Sequence, residues 1–450
     1  MNLYKKVISI LEKYKGGTTV KSFHIAISQS FVAVLFIAID FIFSKKLEVN
    51  DFGLWKEVFF LLNLGIPLVS FGFAESYKFF IAKDIVNVEY YLNNVVLIFF
   101  RIGIILFTIL CVFNLFHFFN LVNLGSYYLY SIFFPLPLLA YLFNKILRYT
   151  YININQEEKL TMLSIYGALS SLCIIFLGWY ILDLKPEYYI GVAILTYFSV
   201  FFFPSLFYFY NSGLTFKVLS IDKGILKKLW VYGFPLYLAT FTGLFSAYLD
   251  KAIVNIFEDD TTFAIFAVGA FEIPIFAMLS AAFSQQIFPK MVRFIESNKE
   301  SEAKLLWLLT TKKVSFLTYP FILIAMFFAD DIIFFVYSKD YTASVTLFKT
   351  YLLVLLFRNN NYGILLTAKG QTKLITKISL LVLFLNLIVS VSLYYFLGIR
   401  GVVFGTLFST SVMWIIYLVK EDMLKRYLQI VTFNKIIFVL QMLIIIAYLR

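Results

Sequence analysis

Thirteen apolar runs follow one another from end to end of the chain, and this repetition is the feature that most constrains its structure. Most runs approach the roughly 20 residues that a helix needs to cross the hydrocarbon core of a bilayer. The pattern therefore predicts an all-α polytopic membrane protein. The runs are Ser22–Phe43, Trp55–Ser76, Leu92–Phe113, Gly125–Phe143, Leu160–Leu182, Tyr188–Tyr210, Val231–Phe257, Thr261–Ser284, Val314–Val336, Val345–Leu366, Leu374–Phe396, Gly401–Leu418 and Phe433–Leu449.

The basic residues fall almost entirely in every second gap between these runs. The N-terminal segment and the even-numbered gaps carry most of the Lys and Arg, whereas the odd-numbered gaps carry only Lys45, Lys46, Lys185, Lys339 and Arg400. The positive-inside rule then places the N-terminus and the even-numbered gaps in the cytoplasm. We expect a multi-pass protein of the cytoplasmic (inner) cell membrane.

Composition agrees with a chain that is solvated by lipid. Hydrophobic residues make up 61% of the sequence and charged residues only 14%, and the mean hydropathy is +0.87. The net charge of +12 follows from the membrane topology, so we expect no nucleic-acid partner. Cys111 and Cys173 both lie inside apolar runs and show no metal-ligand spacing, so we expect no metal and no cofactor.

The arrangement of the runs predicts two six-helix lobes around a central cavity with an additional C-terminal helix, about 12–14 spans in all. A faint repeat supports the two lobes, because Asp51–Leu68 and Thr262–Leu279 each carry an acidic residue followed by Ile-Pro. The predicted segments are a basic interfacial N-terminal helix (1–21), the N-lobe (22–210), a cytoplasmic connection (211–230), the C-lobe (231–419), and a C-terminal connection with the extra span (420–450).

Several charged residues lie where a membrane helix normally avoids them. Each such residue at the centre of a span costs about 2.5–3.5 kcal/mol, so several together indicate a polar cavity. Arg358 precedes three asparagines inside an apolar run and is the strongest single candidate for this cavity. The charged set is Asp40, Lys56, Glu57, Arg101, Asp250, Lys251, Glu272, Lys349 and Arg358.

Simpler explanations exist for part of this set. Lys56 and Glu57 are near a predicted interface and could extend their charged ends to water. Asp250 and Lys251 could form a structural pair, although neighbouring residues on a helix point about 100° apart. Arg101 could bind a substrate or brace neighbouring spans, and we favour bracing.

A family resemblance rests on the stretch Tyr232–Val254, which has a Gly-x-Pro entry and then an Asp followed by a base. It resembles the seventh span of the Wzx-type polysaccharide flippases, which belong to the multidrug/oligosaccharidyl-lipid/polysaccharide exporter superfamily. Further similar segments occur in the same order and cover nearly the whole chain, although their motifs are loose and hydrophobic. They are Asp51–Lys56, Ile287–Phe294, Val336–Asn359 and Ala368–Thr410.

The resemblance implies a non-enzymatic flippase that moves a polyprenyl-pyrophosphate-linked oligosaccharide from the inner to the outer leaflet by alternating access. It implies membrane lipids and the glycan polymerase and ligase machinery as partners. The basic and amide residues would then bind the substrate in the cavity, and the acidic residues would couple transport or balance charge. The first group is Arg358, Lys251, Lys349, Asn359 and Lys56, and the second is Asp40, Asp250, Glu272 and Glu57.

Two other function classes compete with this interpretation. A cation-coupled exporter of drugs or small molecules with the same fold should have a mainly acidic and aromatic cavity, which Lys251, Lys349 and Arg358 argue against. A membrane polysaccharide polymerase should have a larger outer loop or a clustered His/Asp/Arg site, and the sequence contains neither. Thirteen spans also depart from the twelve or fourteen that are usual in the resembled family, so the last span could be misassigned.

Overall fold

The computed structural model describes residues 18–46, 49–119, 130–181, 189–211, 221–270, 273–337, 341–358 and 361–449. The described chain is all-α, which confirms the predicted fold class. Of the predicted interfacial helix (1–21), residues 1–17 lie outside the described residues, and residues 18–21 belong to the helix Thr18–Lys46. Two compact units can be distinguished, one within Gly16–Tyr237 and the other within Leu238–Arg450.

The described part of the first unit contains seven long or broken α-helices and the beginning of an eighth. Helices α6 (Glu158–Ile181) and α7 (Tyr189–Asn211) pack along each other. Helix α5 (Pro135–Asn153) packs against α7, and α1 (Thr18–Lys46) packs against α6. Trp55 is fully buried among the rings of Phe43 and Phe59. The helices are α1 (Thr18–Lys46), α2 (Val49–Ser70), α3 (Phe73–Lys83), α4 (Val88–Phe118), α5 (Pro135–Asn153), α6 (Glu158–Ile181), α7 (Tyr189–Asn211) and α8 (Lys223–Phe257), whose last part belongs to the second unit.

The second unit combines long helices with short, broken ones. Helix α16 (Ile399–Lys420) packs against both α15 (Thr372–Leu397) and α13 (Ser344–Arg358). Helix α11 (Glu300–Phe327) packs against α10 (Pro274–Glu296) and α18 (Lys435–Leu449). The helices are α9 (Asp260–Gly269), α10 (Pro274–Glu296), α11 (Glu300–Phe327), α12 (Ala329–Val336), α13 (Ser344–Arg358), α14 (Ile364–Ala368), α15 (Thr372–Leu397), α16 (Ile399–Lys420), α17 (Leu424–Tyr427) and α18 (Lys435–Leu449).

Six helices within the described residues are long and apolar enough to cross a membrane, or up to eight if each of two bent pairs forms one span. The bent pairs turn by 54° between Ser70 and Phe73 and by 83° between Thr432 and Lys435. The eighth predicted run is divided between α9 and α10, and the tenth is divided between α13 and α14. Sequence hydrophobicity could not show these breaks, because a broken span has the same composition as a continuous one.

Two predicted spans begin later in the sequence than the helices in which they start. The predicted seventh span begins at Val231, but α8 begins at Lys223. The carboxylate of Asp222 caps this earlier start, because it accepts hydrogen bonds from the backbone amides of Gly224 and Ile225. The predicted ninth span is Val314–Val336. It begins inside α11, which covers Glu300–Phe327, and ends with α12. Glu300 and Lys304 form an ion pair one turn apart, which supports the charged start of that helix.

Small residues allow α15 and α16 to approach closely. A side chain at Gly405 would place its Cβ 2.2 Å from the Oγ of Ser390, and one at Gly401 would lie 2.1 Å from the carbonyl oxygen of Leu393. The two glycines are four residues apart and therefore share one face of α16. Helices in lipid associate mainly through such close packing, so this glycine face holds the hairpin together.

Candidate functional site

A cavity of about 370 Å³ lies within the second unit, between α8, α9, α13 and α16. Its volume is in the range of ligand pockets, roughly 300–1,000 Å³. Charged, hydroxyl-bearing and small side chains form its wall: Leu244, Ser246, Ala247, Tyr248, Asp250, Lys251, Ala267, Ala270, Tyr337, Tyr351, Arg358 and Thr406. Asp250, Lys251 and Arg358 are the charged members of this wall.

The carboxylate of Asp250 accepts hydrogen bonds from two hydroxyl groups at the cavity. Its side chain is only 5% exposed. The hydroxyl of Thr406 lies 2.7 Å from its Oδ1 and 2.6 Å from its Oδ2, and the hydroxyl of Tyr351 donates to Oδ2 at 2.7 Å. Thr406 also lies 3.3 Å from the Oδ1 of Asn386, which accepts from Ser390 at 2.9 Å. A chain of polar side chains therefore links α8, α13, α15 and α16.

Helical spacing explains why these residues share the cavity. On α8, Leu244, Ala247 and Lys251 are separated by three and four residues and fall on one face, and Asp250 lies four residues after Ser246. On α13, Tyr351 and Arg358 are seven residues apart, which again places both on one face. Asp250 and Lys251 therefore line neighbouring parts of the same cavity wall.

The charges on the wall favour an anion. Lys251 and Arg358 are half-buried and basic, whereas Asp250 is the acidic residue on the wall. Arg358 is close enough to Asp250 for a favourable electrostatic interaction. The hydroxyls of Thr406 and Tyr351 also stabilise the carboxylate. With two basic residues and one acidic residue, the described wall has a formal charge of +1, the sign that suits a phosphate group.

The structure brings together three of the nine predicted site residues. Asp250, Lys251 and Arg358 line the cavity. Lys349 is half-buried on α13 and is not among the described lining residues; its nine-residue distance from Arg358 places it on the opposite face of that helix. Its predicted role in substrate binding stays a prediction.

The remaining predicted residues are outside this cavity or outside the description. Lys56 and Glu57 are exposed on α2, in the first unit. Asp40 lies on α1, but its side chain is outside the described residues, as are Glu272 and Asn359 entirely. Their roles in binding or coupling stay predictions.

Sequence reasoning missed the hydroxyl and amide groups that hold Asp250. Thr406 and Asn386 lie inside apolar runs, as does Tyr351, and polar residues of this kind are common in membrane helices. The only available signal was the presence of an asparagine and several Ser and Thr residues on neighbouring runs. Their convergence on one carboxylate depends on helix packing, and Thr406 is 156 residues from Asp250 in sequence.

A half-buried charge cluster in the first unit was also missed. Glu75 on α3 forms an ion pair of 3.0 Å with Lys145 on α5 and accepts a hydrogen bond of 2.7 Å from the hydroxyl of Tyr149. Lys78 lies one turn along α3 and 4.0 Å from the same carboxylate. This cluster ties α3 to α5. Within the described residues, no group of three or more His, Cys, Asp or Glu side chains could hold a metal ion.

No protein-family model and no curated protein sequence matches this chain. Solved structures do match its fold, each at 16% sequence identity. A MATE transporter in complex with MaL6 aligns over 94% of this chain and 97% of its own, with a TM-score of 0.73. An outward-facing multidrug resistance MATE transporter of the MOP superfamily aligns over 90% of this chain and 95% of its own, with a TM-score of 0.72.

A third match is a MOP superfamily transporter from Pyrococcus furiosus, which is described as having a binding pocket of reverse polarity that suggests a different function. It aligns over 90% of this chain and 95% of its own, with a TM-score of 0.73. These structural similarities extend over almost the whole length of each matched protein. The chain therefore has the fold of the MATE transporters of the MOP superfamily.

Proposed function

We propose that the protein is a flippase that moves a polyprenyl-pyrophosphate-linked oligosaccharide between the leaflets of the cytoplasmic membrane by alternating access. The observation that carries this proposal is the pair of cations, Lys251 and Arg358, on the wall of a cavity inside a transporter fold. A carrier pyrophosphate is an anion that must pass through a region of low dielectric, where cationic side chains stabilise it strongly.

The two cations suit different parts of this task. The planar guanidinium of Arg358 can bind phosphate oxygens through two parallel hydrogen bonds, whereas the ammonium of Lys251 acts as a mobile point charge. Asp250 would balance the cavity charge when no substrate is present and would repel an anion that binds too deeply. The Tyr248, Tyr337 and Tyr351 side chains on the same wall provide surfaces for a sugar ring.

An exporter of organic cations is the second candidate, because the fold also matches a multidrug resistance MATE transporter. Asp250 and the tyrosines would then bind the cation. Lys251 and Arg358 argue against this function, since like charges in a cavity of low dielectric repel a cationic ligand. The Pyrococcus transporter with a pocket of reverse polarity supports the idea that, in this fold, pocket charge accompanies a change of function.

The proposal can be tested by following a fluorescent polyprenyl-pyrophosphate oligosaccharide across reconstituted vesicles. We expect Arg358→Gln and Lys251→Gln each to lower the transfer rate about tenfold or more, because each removes a charge-assisted contact to the pyrophosphate. Arg400→Gln and Lys377→Gln are matched controls, since both residues are exposed in the second unit and neither is a described lining residue. Equal rates in the cavity variants and the controls would reject the cavity as the anion site.

A further inference from the structure

A second cavity, which the proposed function does not use, lies within the first unit. It is a groove of about 600 Å³ between the break that separates α2 from α3, the first half of α4 and the start of α8. We call it the basic groove. Its lining residues are Phe71, Phe73, Ile98, Arg101, Ile102, Ile105, Ile221, Lys223, Leu226, Lys227 and Trp230.

A strained backbone forms one end of the basic groove. Phe71 has a φ of +43° and Gly72 a φ of +77°, both in the left-handed region that a bulky residue rarely adopts. A Cβ at Gly72 would lie 2.1 Å from the carbonyl oxygen of Gly233 on α8, so the two backbones are in close contact. The break directs the ring of Phe71 towards Trp230, at a centroid distance of 6.3 Å. Such strain is typical of functional positions.

The groove also carries three basic residues. Lys223 and Lys227 are exposed and share one face of α8, four residues apart, and Arg101 is exposed on α4 in the middle of a candidate span. No described carboxylate lies within ion-pair distance of any of them. Asp222 precedes Lys223, but it binds Tyr90 and caps α8. A cation in a membrane span requires an anion or water.

The rest of the lining indicates that the anion has a hydrocarbon chain. Apart from the three cations, every lining residue is an isoleucine, a leucine or an aromatic residue. Ile105 is 58% exposed and Trp230 is 41% exposed, so the groove opens to the surroundings of the helices. In a membrane protein these surroundings are lipid, and tryptophan commonly lies at the level of the headgroups.

We propose that the basic groove binds an anionic phospholipid of the membrane. The phosphate is held by Lys223, Lys227 and Arg101, and an acyl chain lies along Ile102, Ile105 and Trp230 on the apolar wall. Charge complementarity favours this ligand over a zwitterionic lipid, and the apolar wall favours it over free phosphate. Lipid bound here contacts Phe71 in the strained break and Phe73 at the start of α3, and so stabilises the α2–α3 bend.

Native mass spectrometry of the purified protein tests this site. The probes are phosphatidylglycerol, phosphatidylcholine with the same acyl chains, and soluble glycerol phosphate. We expect the native protein to bind phosphatidylglycerol about tenfold more tightly than phosphatidylcholine, and to bind glycerol phosphate far more weakly than either lipid. Equal binding of the two lipids would overturn the proposal without any variant, and tight binding of glycerol phosphate would assign the groove to a soluble anion.

The variant Arg101→Gln/Lys227→Gln should lose the preference for phosphatidylglycerol while it keeps binding to phosphatidylcholine. Lys228→Gln is the matched control, because Lys228 is the adjacent exposed cation on α8 and is not a described lining residue. Unchanged melting temperatures in phosphatidylcholine would show that both variants are folded. A double variant that retains the full preference for phosphatidylglycerol would overturn the site. This site is separate from the cavity of Arg358, so the result does not depend on what the protein transports.

Discussion

At the scale of single residues, the buried carboxylate of Asp250 joins several helices of the second unit. Asp250 and Lys251 were predicted from sequence because charges inside an apolar run are costly and therefore conspicuous. The hydroxyls of Thr406 and Tyr351 were not predicted, because a threonine or tyrosine inside a run carries little cost of its own. Their importance arises only when packing brings them to Asp250.

We expect Tyr351→Phe to lower the free energy of unfolding of the protein by about 1–3 kcal/mol, because it removes one hydrogen bond to a buried carboxylate. Thermal or denaturant unfolding in detergent measures this loss. Tyr395→Phe is the control, since Tyr395 is 70% exposed on α15. If the two variants are equally stable, the hydroxyl of Tyr351 does not hold Asp250.

At the scale of helices, the sequence predicted where apolar runs occur but not where helices begin or break. Helix α8 begins eight residues before the predicted seventh span, because Asp222 caps it before the first lysines. The break between α2 and α3 depends on the contact of Gly72 with Gly233, which are distant in sequence. Such boundaries are set by local caps and tertiary contacts that hydropathy does not record.

The cap of α8 should make the stability of this segment depend on pH. The hydrogen bond from the Tyr90 hydroxyl, together with those from the amides of Ile225 and Gly224, lowers the pKa of Asp222. A lowered folded-state pKa contributes stability that is present above the unfolded pKa, about 3.9, and is lost as the pH falls through the folded value. We expect the stability difference between native protein and Asp222→Asn to be constant near neutral pH and to shrink as the pH falls below about 5.

Thermal melting of both proteins across this pH range measures that difference. Tyr90→Phe provides an independent comparison. It keeps the aspartate but removes the hydrogen bond from the Tyr90 hydroxyl, which is the largest cause of the lowered pKa of Asp222. Its pH dependence should be weaker than that of the native chain. A difference between native protein and Asp222→Asn that stays constant with pH would show that the carboxylate charge does not stabilise the start of α8.

The α15–α16 hairpin gives a second prediction at this scale. Gly405→Ala would place a methyl group 2.2 Å from the Oγ of Ser390 and 2.6 Å from its Cα, so the two helices must separate. We expect a loss of about 1–3 kcal/mol in the free energy of unfolding. Gly243→Ala on α8 is the matched control, because a Cβ there meets no atom within 4 Å. If both alanine variants are equally stable, close contact at Gly405 is not needed.

At the scale of the whole molecule, the length and repetition of the apolar runs were sufficient to predict an all-α membrane protein, and solved transporters share its fold. Run length is informative here because a helix is one of the few structures that can cross lipid. The substrate could not be predicted in the same way. It depends on a few side chains, such as Arg358 and Lys251, whose common position in one cavity is a result of packing.

A direct comparison of two substrates shows whether this protein carries a lipid-linked anion. Vesicles that contain the native protein should translocate a fluorescent polyprenyl-pyrophosphate oligosaccharide and should not accumulate or expel a fluorescent organic cation under a proton or sodium gradient. Vesicles that contain Arg358→Gln should lose the lipid transfer. Gradient-driven transport of the cation by the native protein, with no transfer of the lipid-linked oligosaccharide, would show that the protein is a cation exporter and not a flippase.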